Sequence, residues 1–202
     1  MGNYINYRYN VMGINSLEAF MGVRGGCNHS LRDVYFVRAL GADTSIPGII
    51  SRVDEKAGKD SYDGKMEYLR VSKLPRLVLE DDIKYYSGEY DRWKNHSQVI
   101  SLKSMDVGEE LGEVVSCALK ELEKVFRDGK AGISDSMIRN LSTKVLFWLD
   151  GISKDILCNW DVRRSIKIIA ENIVKEQEYL FFYFLTQIGC DVVLLEMSGD
   201  VN

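Results

Sequence analysis

The chain has 202 residues, 46% of them hydrophobic and 28% charged, with only two prolines. This composition is that of an ordinary globular protein, long enough for one sizeable core or two small ones, and it excludes disorder along the whole length. The net charge of −4 gives no basic footprint for nucleic acid, so nucleic acid is not expected as a partner.

No run approaches the ~18 apolar residues of a membrane span, and Met1 to Met12, rich in Asn and Tyr, has no apolar centre like that of a signal peptide. Cys27, Cys117, Cys158 and Cys190 lie far apart, without C-x-x-C spacing or the density of a secreted disulfide scaffold, and read as reduced thiols. A cytoplasmic protein with no membrane association is therefore expected.

In chain order, residues 1–33 read as an irregular arm, with one short helix at Ser16 to Met21 that stops before Gly22, Gly25 and Gly26. An α/β domain is expected over 34–202. Val34 to Leu40 form a β-prone run, broken by Gly41 to Ser45. Ile46 to Val53 is a second β-prone stretch, short or at an edge because of Pro47 and Gly48. Asp54 to Lys65, charged and without apolar period, reads as an exposed loop. From Lys73 to Asp106 the pattern is mixed: Leu74, Leu77, Val78, Leu79 and Ile83 imply some burial, and Val99, Ile100 and Leu102 a further strand.

Asp106 opens the clearest helix, with Glu109 completing an Asp form of the capping box and Gly129 just past the end. Val107, Leu111, Val114, Val115, Ala118, Leu122, Val125 and Phe126 give it one apolar face. A second helix follows from about Ser134. Ile166 to Ala170, Lys175 to Ile188 and Asp191 to Glu196 then read as strand, helix and strand. The expectation is an α/β fold with a partly parallel sheet and flanking helices, ending in a strand–helix–strand unit. The sheet looks unfinished there, as in the N-terminal part of a longer protein. Tyr179 to Leu185 is apolar on every side, so its helix needs cover from its own domain or from a partner.

Open parallel sheets bind ligands beyond the carboxyl ends of their strands. Those positions are Gly41 to Thr44, Glu171 and Asn172, and Ser198 to Asp200. Arg38 and Asp43 flank the first turn, where Arg could clamp a phosphate or carboxylate and Asp a hydroxyl or a metal; an internal ion pair holding the turn is the competing reading. Arg24 lies in the glycine-rich Gly22 to Gly26 loop and suits an anion, although no G-K-[ST] follows. Arg24, Arg38, Asp43 and Asp200 are thus the candidate ligand-binding residues, and a small anionic metabolite is the expected ligand.

Cys27 and His29 lack the spacing of a usual zinc site, so no metal is assigned. No G-x-S-x-G or similar signature marks a nucleophile, and neither a catalytic residue nor a cofactor can be named. Tyr85, Tyr86, Tyr90 and Trp93 stand among Lys84, Arg92 and Lys94, but Glu80, Asp81, Asp82, Glu89 and Asp91 cancel that charge. Packing at a domain edge or contact with a protein partner suits them better than stacking on bases.

Three blocks also carry a family resemblance. Val174 to Phe181 with Leu185, Ile188 to Val193 and Ser198-Gly199-Asp200 resembles the hallmark segment of the YceG-like family. Tyr35 to Asp43 with Pro47 is similar to that family's N-terminal tyrosine–arginine–glycine stretch, and Arg24 to an arginine upstream. Such proteins occur in bacterial operons for tellurite and general stress resistance, where they are described as components of a biosynthetic module with no established reaction. The resemblance implies family-pattern roles for Arg38, Gly41, Asp43, Glu178, Gly189, Asp191 and Asp200. It also implies a component of such a module that binds a small anionic or nucleotide-like metabolite. The alternatives are a non-catalytic interaction module, which docks the last helix and the aromatic segment onto a protein partner or a further domain, and a fragment of a glycosyltransferase-like enzyme.

Overall fold

The computed structural model describes residues 6–9, 20–21, 27–28, 31–40, 46–64, 66–161 and 164–196. The chain divides into two compact units. The first holds residues 1–73, 159–175 and 189–202, the second 74–158 and 176–188. The last helix of the strand–helix–strand unit therefore groups with the second unit and its two strands with the first.

The first unit is built on a four-stranded parallel sheet of β4 (Phe36–Leu40), β5 (Glu67–Val71), β6 (Ile166–Glu171) and β7 (Cys190–Glu196), in the order β4-β7-β6-β5. Every residue of β7 is buried, and so is all of β6 except its last residue, as befits interior strands of a parallel sheet. A smaller sheet joins β1 (Asn6–Tyr9), β2 (Cys27–Asn28) and β3 (Leu31–Val34) in the order β1-β3-β2. The expected arm thus contributes strands, and the expected domain boundary after residue 33 falls within β3. The Val34 to Leu40 run is divided at Tyr35: its N–H donates to Asp191 Oδ1 (3.0 Å) and its carbonyl accepts from Val192 N–H (2.8 Å).

Between β4 and β5 runs helix α1 (Ile46–Tyr62), where a second strand and an exposed loop were expected. Proline is acceptable in a first helical turn, where N–H groups have no intrahelical partner anyway, so Pro47 starts this helix instead of marking an edge strand. Ile50, Val53 and Ala57 recur at helical spacing and are buried in one cluster with Tyr35, Met66, Ile169, Val193 and Leu195. Tyr68, Val37 and Ala39 pack against the same cluster, which fixes the sheet face that α1 covers.

The second unit is helical: α2 (Glu80–His96), α3 (Glu109–Gly129), α4 (Asp135–Ile156) and α5 (Glu176–Gln187). Helix α2 replaces part of the mixed segment. Its first turn carries Glu80, Asp81 and Asp82 and its last Lys94 and His96, the arrangement that a helix dipole favours. Val99, Ile100 and Leu102 form no strand; they lie in irregular coil, with Ile100 and Leu102 buried. Val99 crosses α3 so closely that a Cβ on Gly112 would stand 2.5 Å from its Cγ1.

Helix α3 starts at Glu109 after Gly108, and no side chain caps it; Asp106 instead accepts from the Gly108 N–H at 3.2 Å. Ser134 caps α4 by accepting from the Met137 N–H. In α5 the residues Phe181, Phe182, Phe184 and Leu185 are buried, and the Phe181 ring lies 5.5 Å from that of Trp148 on α4. Gly189 ends the crossover with a φ of 93°, a left-handed value that glycine adopts without strain.

Candidate functional site

Of the residues expected to bind a ligand, Arg24, Asp43 and Asp200 lie outside the described residues. Arg38 is described. It is exposed on the edge strand β4, opposite Leu194 of β7. Strand alternation puts it on the face opposite to Val37 and Ala39, away from the cluster under α1.

The described residues gather a different polar group at the carboxyl end of the sheet, on the α1 face. Glu171 is the last residue of β6 and Arg70 the second-last of the edge strand β5. Arg70 Nε donates to Glu171 Oε1 (2.5 Å) and Nη1 to Asp54 Oδ2 (2.7 Å), while Tyr68 Oη donates to Asp54 Oδ1 (2.5 Å). Arg70 Nη2 also stands 2.5 Å from Glu171 Oε1. Three elements, α1, β5 and β6, thus converge on one guanidinium. The Arg70 and Asp54 side chains remain 38% and 33% exposed, and that of Glu171 12%.

The electrostatics follow from these contacts. The hydrogen bond to Glu171 is the main cause that raises the Arg70 pKa above its ordinary value, so the guanidinium stays charged. Burial, then the hydrogen bond to Asp54, pushes the Tyr68 hydroxyl well above the usual tyrosine range, which keeps it a neutral donor. Two carboxylates against one guanidinium leave the group with one net negative charge. Immediately after Glu171 the chain turns: Asn172 adopts φ 53°, and its N–H donates to the Leu195 carbonyl at 2.9 Å.

Deeper in the same unit, Lys167 and Asp191 are register partners on β6 and β7. Their side chains are 1% and 0% exposed, with Nζ 2.7 Å from Oδ2. The Lys167 ammonium also lies 4.5 Å from the centre of the Phe20 ring. Because Asp191 holds Tyr35 N–H through its other oxygen, it joins three segments and has a structural explanation. Among the described residues no cluster of three His, Cys, Asp or Glu side chains could hold a metal ion.

The aromatic segment serves the interior of the second unit. Tyr86, Tyr90 and Trp93 are buried on one side of α2; Tyr86 donates to Asp150, and Tyr90 to Glu123 at 2.7 Å. Together with the buried phenylalanines of α5, this removes the main surfaces from which docking onto a partner was expected.

Sequence reasoning placed Glu171 and Asn172 at a strand end, but it did not find the strand Glu67–Val71 that carries Tyr68 and Arg70. The available cue was the alternation of Tyr68 and Arg70 with Leu69 and Val71, a period of two.

A family model described as the YceG domain matches residues 61–202, well over half of the chain. It takes in Glu178, Gly189, Asp191 and Asp200, together with the middle of the chain, which lies outside the three resembling blocks. It begins after Arg24, Arg38, Gly41 and Asp43, and after Asp54. No curated protein and no solved structure matches the chain. The chain belongs to the YceG-domain family.

Proposed function

We propose that this chain is a cytoplasmic component of a bacterial biosynthetic module of the tellurite and stress-resistance type, and that its sheet unit binds a small nucleotide-like metabolite at the carboxyl ends of the parallel strands. The observation that carries this reading is the group at those ends, where Tyr68, Arg70, Glu171 and Asp54 meet at hydrogen-bond distance while Arg70 stays partly open to solvent. Strand ends of open parallel sheets are the common place for such ligands, because backbone and side-chain polar groups there face solvent from a rigid scaffold. No helix among the described residues is long and apolar enough to cross a membrane.

The test is a thermal-shift screen of the full chain against nucleosides, nucleotides, sugar nucleotides and phosphorylated metabolites, repeated with Arg70→Ala and Arg38→Ala. A ligand that binds only the folded state raises its stability, so one class should raise the melting temperature and lose that effect in at least one variant. A folded chain that responds to no class would overturn the proposal.

A second reading, a protein-interaction module, retains one observation: Val78, Leu79 and Ile83 are exposed where the chain enters α2. Its check is the proteins that co-purify with the wild type and are lost with Leu79→Asp.

A further inference from the structure

We propose that the Glu171–Arg70–Asp54 group is a diol subsite, which takes two adjacent hydroxyls of a pentose or sugar and rejects phosphate. The inference rests on the metabolite-binding reading above and names the part of the ligand that this group receives.

A phosphate placed here would meet two carboxylates and one guanidinium, a net repulsion, and the guanidinium already directs Nε, Nη1 and Nη2 at those carboxylates. The Nε–Nη2 edge of Arg70 is therefore taken by Glu171 and does not offer phosphate the two-pronged grip that its recognition uses. An uncharged hydroxyl meets no such repulsion.

Hydrogen-bond inventory then selects the class. Asp54 is engaged through both oxygens, Oδ1 by Tyr68 and Oδ2 by Arg70. Glu171 is engaged by Arg70 through Oε1, so Oε2 is the carboxylate oxygen that neither Arg70 nor Tyr68 uses. A guanidinium carries five N–H groups, and these contacts use at most three of them. An acceptor oxygen beside a spare N–H matches two neighbouring hydroxyls, one donating to Glu171 Oε2 and the next accepting from Arg70.

Placement supports the same reading. Glu171 ends β6, and the left-handed turn at Asn172 carries the chain away at once. Arg70 and Asp54 are more than a third and about a third exposed, so a ligand can reach them without opening the core. Tyr68 stays protonated and holds Asp54, which leaves Asp54 in turn to hold the guanidinium.

The experiment compares binding of adenosine, 2′-deoxyadenosine, free ribose and inorganic phosphate to the full wild-type chain by ligand-observed NMR, with Glu171→Gln as the variant. The 2′,3′-diol of adenosine should give roughly tenfold tighter binding than the deoxynucleoside, the size expected for a lost hydrogen bond to a charged group. Glu171→Gln should erase most of that difference, and phosphate should not compete. Weaker binding of ribose than of adenosine would identify a nucleoside as the source of the diol; equal binding would identify a sugar. Equal affinity for adenosine and deoxyadenosine, or competition by phosphate, would overturn the diol subsite while leaving metabolite binding intact. Absence of any binding by a folded chain, in this assay and across the thermal-shift screen, would overturn both. Because the ribo–deoxy contrast is read on the wild type, it stands even if Glu171→Gln fails to fold.

Discussion

The first unit buries Asp191 in the middle of a sheet against a cation, Lys167, and one backbone N–H, whereas the second buries Asp150, Glu123 and Glu89 mainly against hydroxyls and backbone N–H groups. Asp150 accepts from Tyr86, from the Lys103 N–H (2.8 Å) and from the Ser104 N–H (2.9 Å). Glu123 accepts from Tyr90, and Glu89 from the Ser101 N–H at 3.0 Å; Lys94 and Arg92 reach these two from solvent. A sheet strand has most of its backbone donors committed to its neighbours, so Asp191 finds one backbone N–H, at the break at Tyr35, and takes a side-chain cation on its other oxygen. A helical unit with coil segments between helices can turn spare amides and tyrosines onto its acids. The two solutions fail differently, and this can be measured.

The largest effect should come from placing a carboxylate where neither solution exists. Phe182→Asp buries an unpaired charge on α5 and should cost about 3 to 5 kcal/mol in a urea titration followed by circular dichroism. Near-wild-type stability would mean that the helix is not buried in solution.

Removing the cation of the first unit comes next. Lys167→Met takes the cation from Asp191 and should cost about 3 kcal/mol, because a buried carboxylate then loses its counter-charge. Adding Asp191→Asn should recover part of the loss, since the amide oxygen can still accept from Tyr35 N–H. A double variant no better than Lys167→Met would show that the pair is not the source of the cost.

In the second unit Asp150→Asn should cost about 2 kcal/mol, because an amide NH2 then faces donors. Burial alone would raise the Asp150 pKa, but the hydrogen bonds from Ser104, Tyr86 and Lys103 together hold it below the usual carboxylate range. Its contribution is therefore fully present above the unfolded value of about 4 and is lost as pH falls below it. The acid limb of the stability profile should flatten in Asp150→Asn; an unchanged limb would contradict this assignment. The smallest effect belongs to the surface: Arg139→Ala removes a two-pronged contact to Asp91 at 2.8 and 2.6 Å and should cost about 0.5 kcal/mol, falling further in salt.

Legibility in the sequence followed the strength of the local pattern. β6, α5 and β7 were readable because an apolar strand, a long apolar helix and a glycine with positive φ stand in succession. Helix α4 was readable from Ser134 onward, where cap and apolar face agree. Helix α1 was not, because Pro47, Gly48 and β-branched Ile49, Ile50 and Val53 imitate a short edge strand; only the recurrence of Ile50, Val53 and Ala57 betrays the helix. Helix α2 hid behind its charge, although Tyr86, Tyr90 and Trp93 mark one buried side. The candidate site was half legible: Glu171 was placed at a strand end, but Arg70 and Asp54 come from elements that local pattern did not reveal, and only tertiary folding joins them.

The most direct test of the central claim is amide chemical-shift mapping of the full chain with adenosine, the two units serving as each other's control. The account predicts shifts concentrated at Val71, Ser72, Glu171 and Asn172 in the first unit. Shifts centred instead on α2 and α4 of the second unit would contradict it.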